Sequence, residues 1–155
     1  MDTILHQADV AIIGGGIMGT AIARELSKYQ VQVVLIEKEI EVGWGTTKAN
    51  SGIVHAGFHD TPGSLKAKYC TAGNAMYPEL CRELDVNFRQ NGIFMVARSQ
   101  DDLPILEKYH QRGIENGVPG LRLITGEEAR ELEPNLKTTV LAALEAPTGG
   151  VVAPF

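Results

Sequence analysis

The stretch ADVAIIGGGIMGTAIARELSKYQVQVVLIEKE, residues 8–39, decides the fold of this chain. Val10, Ile12 and Ile13 form a short apolar run, the pattern of a strand covered on both faces. Gly14, Gly16 and Gly19 follow in the spacing G-x-G-x-x-G. The next residues predict an amphipathic helix, with Ile17, Ala21 and Leu26 on one side and Arg24, Glu25 and Lys28 on the other. A second buried strand, Val31–Ile36, ends in Glu37. Strand, glycines, helix, strand and acid in this order make a βαβ unit, which places the chain in the α/β class.

Each element has a physical task. Gly14 permits a tight turn, Gly16 lets a pyrophosphate approach the backbone, and Gly19 lets the helix lie close to the strand. The helix start offers free N–H groups and the positive end of its dipole to the phosphates. Glu37 follows the glycines by about 20 residues, where a carboxylate accepts hydrogen bonds from a ribose. It would repel a ribose 2′-phosphate, which disfavours NADP. The pattern alone does not separate FAD from NAD.

The rest of the composition narrows the partners. The chain has 155 residues, 44% hydrophobic and 21% charged, with a formal net charge of -5. That balance lacks the basic face a nucleic acid requires. No apolar run approaches membrane-spanning length, and the first residues lack the pattern of a secretory signal. The spacing of Cys70 and Cys81 does not suit paired metal ligands, so reduced thiols and no metal site are expected.

After Glu37 comes VGWGTTKANSGIVHAGFHDTPGS, residues 42–64, a long segment of small and polar residues. Segments of this kind are functional or disordered. Trp44, Ile53, Val54 and Phe58 argue for order. The functional reading is backbone that wraps a cofactor; the alternative is a self-packed surface loop whose Ser, Thr and Asn satisfy turns. Ser64 then caps a helix with Leu65, Tyr69, Ala72, Met76, Leu80 and Leu84 on one stripe. Residues 87–99 read as a strand or as a hairpin turning at Asn91-Gly92. Ser99 with Asp102 opens a helix to about Asn116, with Leu103, Leu106, His110 and Ile114 on one stripe. LRLIT, residues 121–125, is a strand, and Thr125 with Glu128 caps a short helix that stops before Pro134. TVLAALEAP, residues 139–147, is a further strand. This order predicts a second, α+β unit. Two or three parallel strands are few for a dinucleotide fold, so a remaining piece or a partner chain is expected to complete it.

At this point the residues carry a resemblance. The triple-glycine fingerprint, Glu37-Lys38, TTKANSGIVHAGF, PGSLKAKYC and MYPELCRELDVNF together resemble the N-terminal portion of FAD-dependent oxidoreductases of the D-amino-acid-oxidase superfamily. Within it they are most similar to flavin glycerol-3-phosphate dehydrogenases of anaerobic bacterial type and to L-2-hydroxyglutarate oxidases. The similarity runs on through EPNL to APTGGVVAPF. It implies a Rossmann-like FAD-binding βαβ unit in residues 1–85 and the start of an α+β substrate or cap domain in residues 86–155, an incomplete fold by itself.

The resemblance implies FAD, with Gly14, Gly16 and Gly19 at the pyrophosphate and Glu37 and Lys38 at the adenosine. It implies that the Thr46–Gly57 loop, with Thr46, Thr47, Lys48, Asn50, Ser51 and Gly52 as its cofactor-binding residues, lies along the flavin end of the cofactor. It implies oxidation of glycerol 3-phosphate to dihydroxyacetone phosphate by hydride transfer to FAD, with electrons passed to a quinone or a partner subunit. His55 is the candidate base for the hydroxyl proton, followed by His59; His55 could equally orient the cofactor or attach it covalently. His6 and His110 have no assigned role. The alternatives are an L-2-hydroxyglutarate dehydrogenase or oxidase, an amino-acid or amine oxidase, and, in another class, a non-catalytic nucleotide-binding or assembly subunit. A cytoplasmic location, or a peripheral one on the inner face of the membrane, is expected, and so is inactivity of this chain on its own.

Overall fold

The structure is a computed structural model that describes residues 7–153; His6 lies outside them. Contacts divide the described chain into two compact units, residues 7–51 and 52–153.

The first unit is a βαβ turn. Strand β1 (Val10–Ile13) leads through the glycines into helix α1 (Ile17–Leu26) and back into strand β2 (Val33–Ile36). The two strands are parallel, in a register that pairs Val10 with Val33 and Ile13 with Ile36. The second strand starts two residues later than its apolar run, and the Gln32 carbonyl just before it accepts from the N–H groups of Asp9 and Val10. Gly14 has φ of 100°, a left-handed conformation that costs glycine little. Its N–H donates to the Ile36 carbonyl at 2.8 Å, closing the turn across both strand ends.

The second unit is built on two small sheets. One holds β5 (Ile93–Ala97), β7 (Ala142–Ala146) and β6 (Arg122–Thr125), all antiparallel with β7 central. Strand alternation sorts its side chains onto two faces. Ile93, Met95, Ala97, Leu144 and Ala146 turn toward Phe58, Leu106 and Val118, while Phe94, Val96 and Ala143 turn toward Ile124 and Ala129. The first cluster is covered by α3 (Leu103–Glu115) and the second by α4 (Gly126–Leu132). The Ser99–Asp102 capping box closes a 3-10 turn, Gln100–Asp102, that runs straight into α3, and α4 is capped as its sequence predicts. The Asp102 carboxylate accepts from the N–H of Ser99 at 2.9 Å, and the Thr125 hydroxyl and Glu128 carboxylate bond each other's backbone N–H groups.

The other sheet joins β3 (Ile53–Val54), β8 (Gly150–Val152) and β4 (Phe88–Arg89), with β8 central and antiparallel to both. Asn91-Gly92 is not a hairpin turn: β4 pairs with β8 and β5 pairs with β7. The dipeptide is the corner where the chain leaves one sheet for the other, and the Gly92 N–H is taken by the Gly149 carbonyl.

Helix α2 (Leu65–Glu83) is capped by the Ser64 hydroxyl, which accepts from the Ala67 N–H at 3.1 Å. It turns a different stripe inward from the one its large residues suggest. Ala67, Asn74 and Cys81 are buried, whereas Leu65, Tyr69, Met76 and Leu84 are exposed. The reason is hydrogen bonding: the Asn74 amide donates to the carbonyls of His55 (3.1 Å) and Thr148 (2.9 Å). Those carbonyls would be costly to bury unpaired, so the Asn74 side sets the helix's orientation.

Candidate functional site

In the first unit the ends of β1 and β2, the glycine turn and the segment after Glu37 enclose a cleft of about 560 Å³. Gly14, Gly16, Glu37, Lys38, Thr46 and Thr47 all line it. Gly19 does not; it lies where α1 crosses the turn, and a Cβ there would sit 1.9 Å from the Gly14 carbonyl oxygen. Its role is close approach of backbone, as the motif demands.

The Glu37 carboxylate is held from three sides. One oxygen accepts from the Gly15 N–H at 2.6 Å, the other from the N–H groups of Lys38 (2.8 Å) and Glu39 (3.0 Å). The backbone donors of Glu39 and Gly15, then Lys38, hold its pKa below the ordinary carboxylate range, so it stays ionised at neutral pH. An ionised carboxylate has about four acceptor sites, which leaves capacity for a sugar hydroxyl. Thr47 ties the following segment to the helix start: its hydroxyl accepts from the Ile17 N–H at 2.9 Å. The Gly43 N–H donates to the Gly15 carbonyl at 2.8 Å, fixing the same segment to the turn.

These atoms fit the phosphate–ribose part of a dinucleotide. A side chain at Gly16 would press on the Thr47 hydroxyl at 3.3 Å, and the space where a Gly14 Cβ would stand is open. Backbone therefore faces the cleft without side chains in front of it. Lys48, Asn50, Ser51 and Gly52 lie outside the cleft lining. Lys48 places its ammonium 4.1 Å from the centroid of the Trp44 ring, and the Asn50 amide donates to the Thr47 carbonyl at 2.5 Å. The Gly52 carbonyl accepts from the Val152 N–H inside the second unit. Trp44 and the strand-end residues Ile13 and Ile36 line the cleft as well, a role that no spacing in the sequence marks.

The second unit carries the histidines. His55, His59, Asp60, Lys66 and Cys70 surround a small hollow of about 100 Å³. The His55 and His59 rings meet edge to face at 5.8 Å, and the His59 ring lies 3.9 Å from Phe58, which is fully buried. Asp60 is buried and receives the Lys66 ammonium at 2.9 Å, with Lys66 itself reaching out into solvent. Burial works against the Asp60 charge, but Lys66 and the Cys70 thiol outweigh it and keep its pKa below the usual value. Burial and the Asp60 carboxylate together push the Cys70 thiol up to about 11, so it is no nucleophile at neutral pH. Among the described residues there is no group of three or more His, Cys, Asp or Glu suited to a metal ion, and no helix long and apolar enough to cross a membrane.

His59 makes stability depend on pH. Burial against Phe58, then the neighbouring His55, lowers its basicity from 6.5, and Asp60 offsets this only in part. A histidine less basic when folded binds fewer protons in the native state. Its contribution is complete above pH 6.5 and is lost as pH falls below that value toward the folded pKa. The urea midpoint is expected to hold from pH 8 to 7 and to drop between about pH 6.5 and 5. His59→Phe should flatten that drop, whereas Asp60 acts only at lower pH because its pKa lies below 3.8. An unchanged slope in His59→Phe would assign the drop elsewhere.

The family model for FAD dependent oxidoreductases (DAO) matches residues 9–155. The chain belongs to this family. A glycerol 3-phosphate dehydrogenase of Caloramator mitchellensis is 50% identical over 147 residues, which are 95% of this chain and 31% of that protein. The human mitochondrial L-2-hydroxyglutarate dehydrogenase is 38% identical over 93% of this chain and 31% of its own length. Among solved structures, the dithionite-reduced L-alpha-glycerophosphate oxidase of Mycoplasma pneumoniae with FAD bound superposes with a TM-score of 0.85 at 31% identity. That match covers 97% of this chain and 40% of the oxidase. This FAD-dependent oxidoreductase chain thus spans about a third of the length of the curated relatives it matches.

Proposed function

We propose that the chain is the FAD-binding portion of a flavin-dependent dehydrogenase that oxidises glycerol 3-phosphate to dihydroxyacetone phosphate. The 50% identity to the Caloramator enzyme carries the choice of substrate. The cleft geometry supports the cofactor: Gly14 and Gly16 at the pyrophosphate, with Gly19 setting the helix, Glu37 and Lys38 at the adenosine ribose, and Thr46 and Thr47 beside the phosphates. Asn50, Ser51 and Gly52 continue toward the flavin, whereas Lys48 is held against Trp44. Residues 1–85 then serve FAD, and residues 86–155 begin a substrate or cap domain.

FAD, when bound, supplies the two-electron acceptor for a carbon that bears a hydroxyl group. The task left to the protein is the hydroxyl proton, and His55 takes it as general base. An imidazole suits this near neutral pH. The contact with His59 and the bond from Asn74 to the His55 carbonyl hold the residue in place. The electrons pass on to a quinone or a partner subunit, and the remainder of the enzyme or a partner chain completes the fold. A cytoplasmic location, or a peripheral one at the inner face of a membrane, accords with the free thiols of Cys70 and Cys81.

The human relative favours a second reading, a 2-hydroxy acid such as L-2-hydroxyglutarate as substrate. Anaerobic bleaching of the flavin in the complete polypeptide that carries this chain separates the two. Glycerol 3-phosphate is expected to bleach it within turnover time and L-2-hydroxyglutarate is not. The reverse result would install the second reading, and bleaching by neither would remove both.

A further inference from the structure

We propose that Trp44, propped by Lys48, is the aromatic wall on which the adenine of the dinucleotide lies. The proposal rests on the cleft of the first unit being an FAD site and names the residue that recognises its base. Trp44 is 50% exposed and lines the same cleft as the glycine turn and Glu37. Ile13 (88% exposed) and Ile36 (54%) line it as well. Both isoleucines end their strands, one directly before Gly14 and the other directly before Glu37. Three large apolar side chains therefore line the cleft beside the groups proposed to hold the pyrophosphate and the ribose.

The chemistry that fits such a corner is a flat, uncharged ring attached to that ribose. Covering the three side chains with it removes apolar surface from water. An indole adds the offset stacking that aliphatic residues lack. The alternative ring, the isoalloxazine, is at the far end of the pyrophosphate from the ribose that Glu37 binds. The Lys48 ammonium, 4.1 Å from the Trp44 ring centroid, is attracted by the ring's π-face and restricts its rotation. Lys48 itself does not line the cleft, so the wall that Trp44 presents there is apolar.

Trp44 is the sole tryptophan of the chain, and the difference in emission between the parent and Trp44→Phe isolates it in the complete polypeptide that carries this chain. ADP, FAD and FMN are titrated into that polypeptide freed of flavin, with equilibrium dialysis run in parallel. ADP and FAD are expected to change the emission saturably, and FMN, which has no adenine, is not. In dialysis, Trp44→Ala should bind ADP roughly 10-fold more weakly, and Trp44→Phe within about threefold of the parent. Three results would overturn the proposal while leaving the FAD site intact: ADP binding with unchanged emission, FMN acting like ADP, or Trp44→Ala binding like the parent. If dialysis shows binding of neither ADP nor FAD, the dinucleotide site fails and the proposal fails with it.

Discussion

Gly19→Ala is expected to lower the affinity for ADP and FAD roughly 100-fold and to destabilise the first unit by about 3 kcal/mol. The added Cβ would stand 1.9 Å from the Gly14 carbonyl oxygen, 3.1 Å from its carbon and 3.3 Å from Ile12 Cγ2. Two of these atoms are backbone, so no side chain can swing aside to make room. Either α1 lifts from the turn or the turn itself opens, and the turn is what faces the phosphates. Dialysis against ADP and thermal unfolding followed by circular dichroism would measure both effects. Gly73 in α2 provides the control, since a Cβ there meets nothing within 4 Å. Retention of parental ADP affinity in Gly19→Ala would show that the crossing of helix and turn is not tight.

Phe58→Ala should cost the second unit about 3–5 kcal/mol, read from the shift in urea midpoint. Phe58 is fully buried among Leu106, Val118, Leu144 and Ala146. Few of its neighbours can fill the space, because α3 and the strands are fixed by their own hydrogen bonds. The same substitution strips the apolar partner from the His59 ring. The basicity of His59 should therefore return upward toward 6.5, visible in the titration of its ring protons by NMR. A loss below 1 kcal/mol would mean that the cluster collapses onto the gap.

The two predictions fall on parts of the chain that differ in how much their sequence disclosed. The order of elements in the βαβ unit was readable, because each of its signals is local: an apolar run, a glycine spacing, a helical period, a terminal acid. The burial expected of its strands is not what they show, since Ile13, Val34 and Ile36 are exposed. The capped starts of α2 and α4, and the capping box one turn before α3, were readable for the same reason. Strands β3 and β8 were not. They hold two and three residues, too few for any period, and their partners lie far away along the chain. The stripe of α2 was misread because hydrophobicity was taken to decide which side faces inward. In fact the Asn74 amide decides it, by pairing two buried carbonyls. Periodicity analysis counts such a residue as polar and places it outside.

The candidate site shows the same division. Gly14, Gly16 and Glu37 follow from a spacing with a mechanism behind it. Thr46 and Thr47 reach the cleft through a segment with no period, and the family resemblance alone singled them out. Trp44 went unassigned because a lone aromatic residue in a loop carries no pattern; its place beside Ile13 and Ile36 exists only after the strands have paired. The hollow around His55 and His59 likewise depends on Asp60, Lys66 and Cys70, whose convergence requires α2 to be in position.

Strand β8 has a consequence for the order of assembly. It lies between β3 and β4 and gives each its antiparallel partner, so neither can pair until residues 150–152 are available. Closing a loop of that length is entropically slow to reward. On a ribosome, where the N-terminal part emerges first, the glycine turn and α1 can form while this sheet still waits for its central strand. The backbone that carries His55 directly after β3 is therefore among the last parts of the described chain to be held in place.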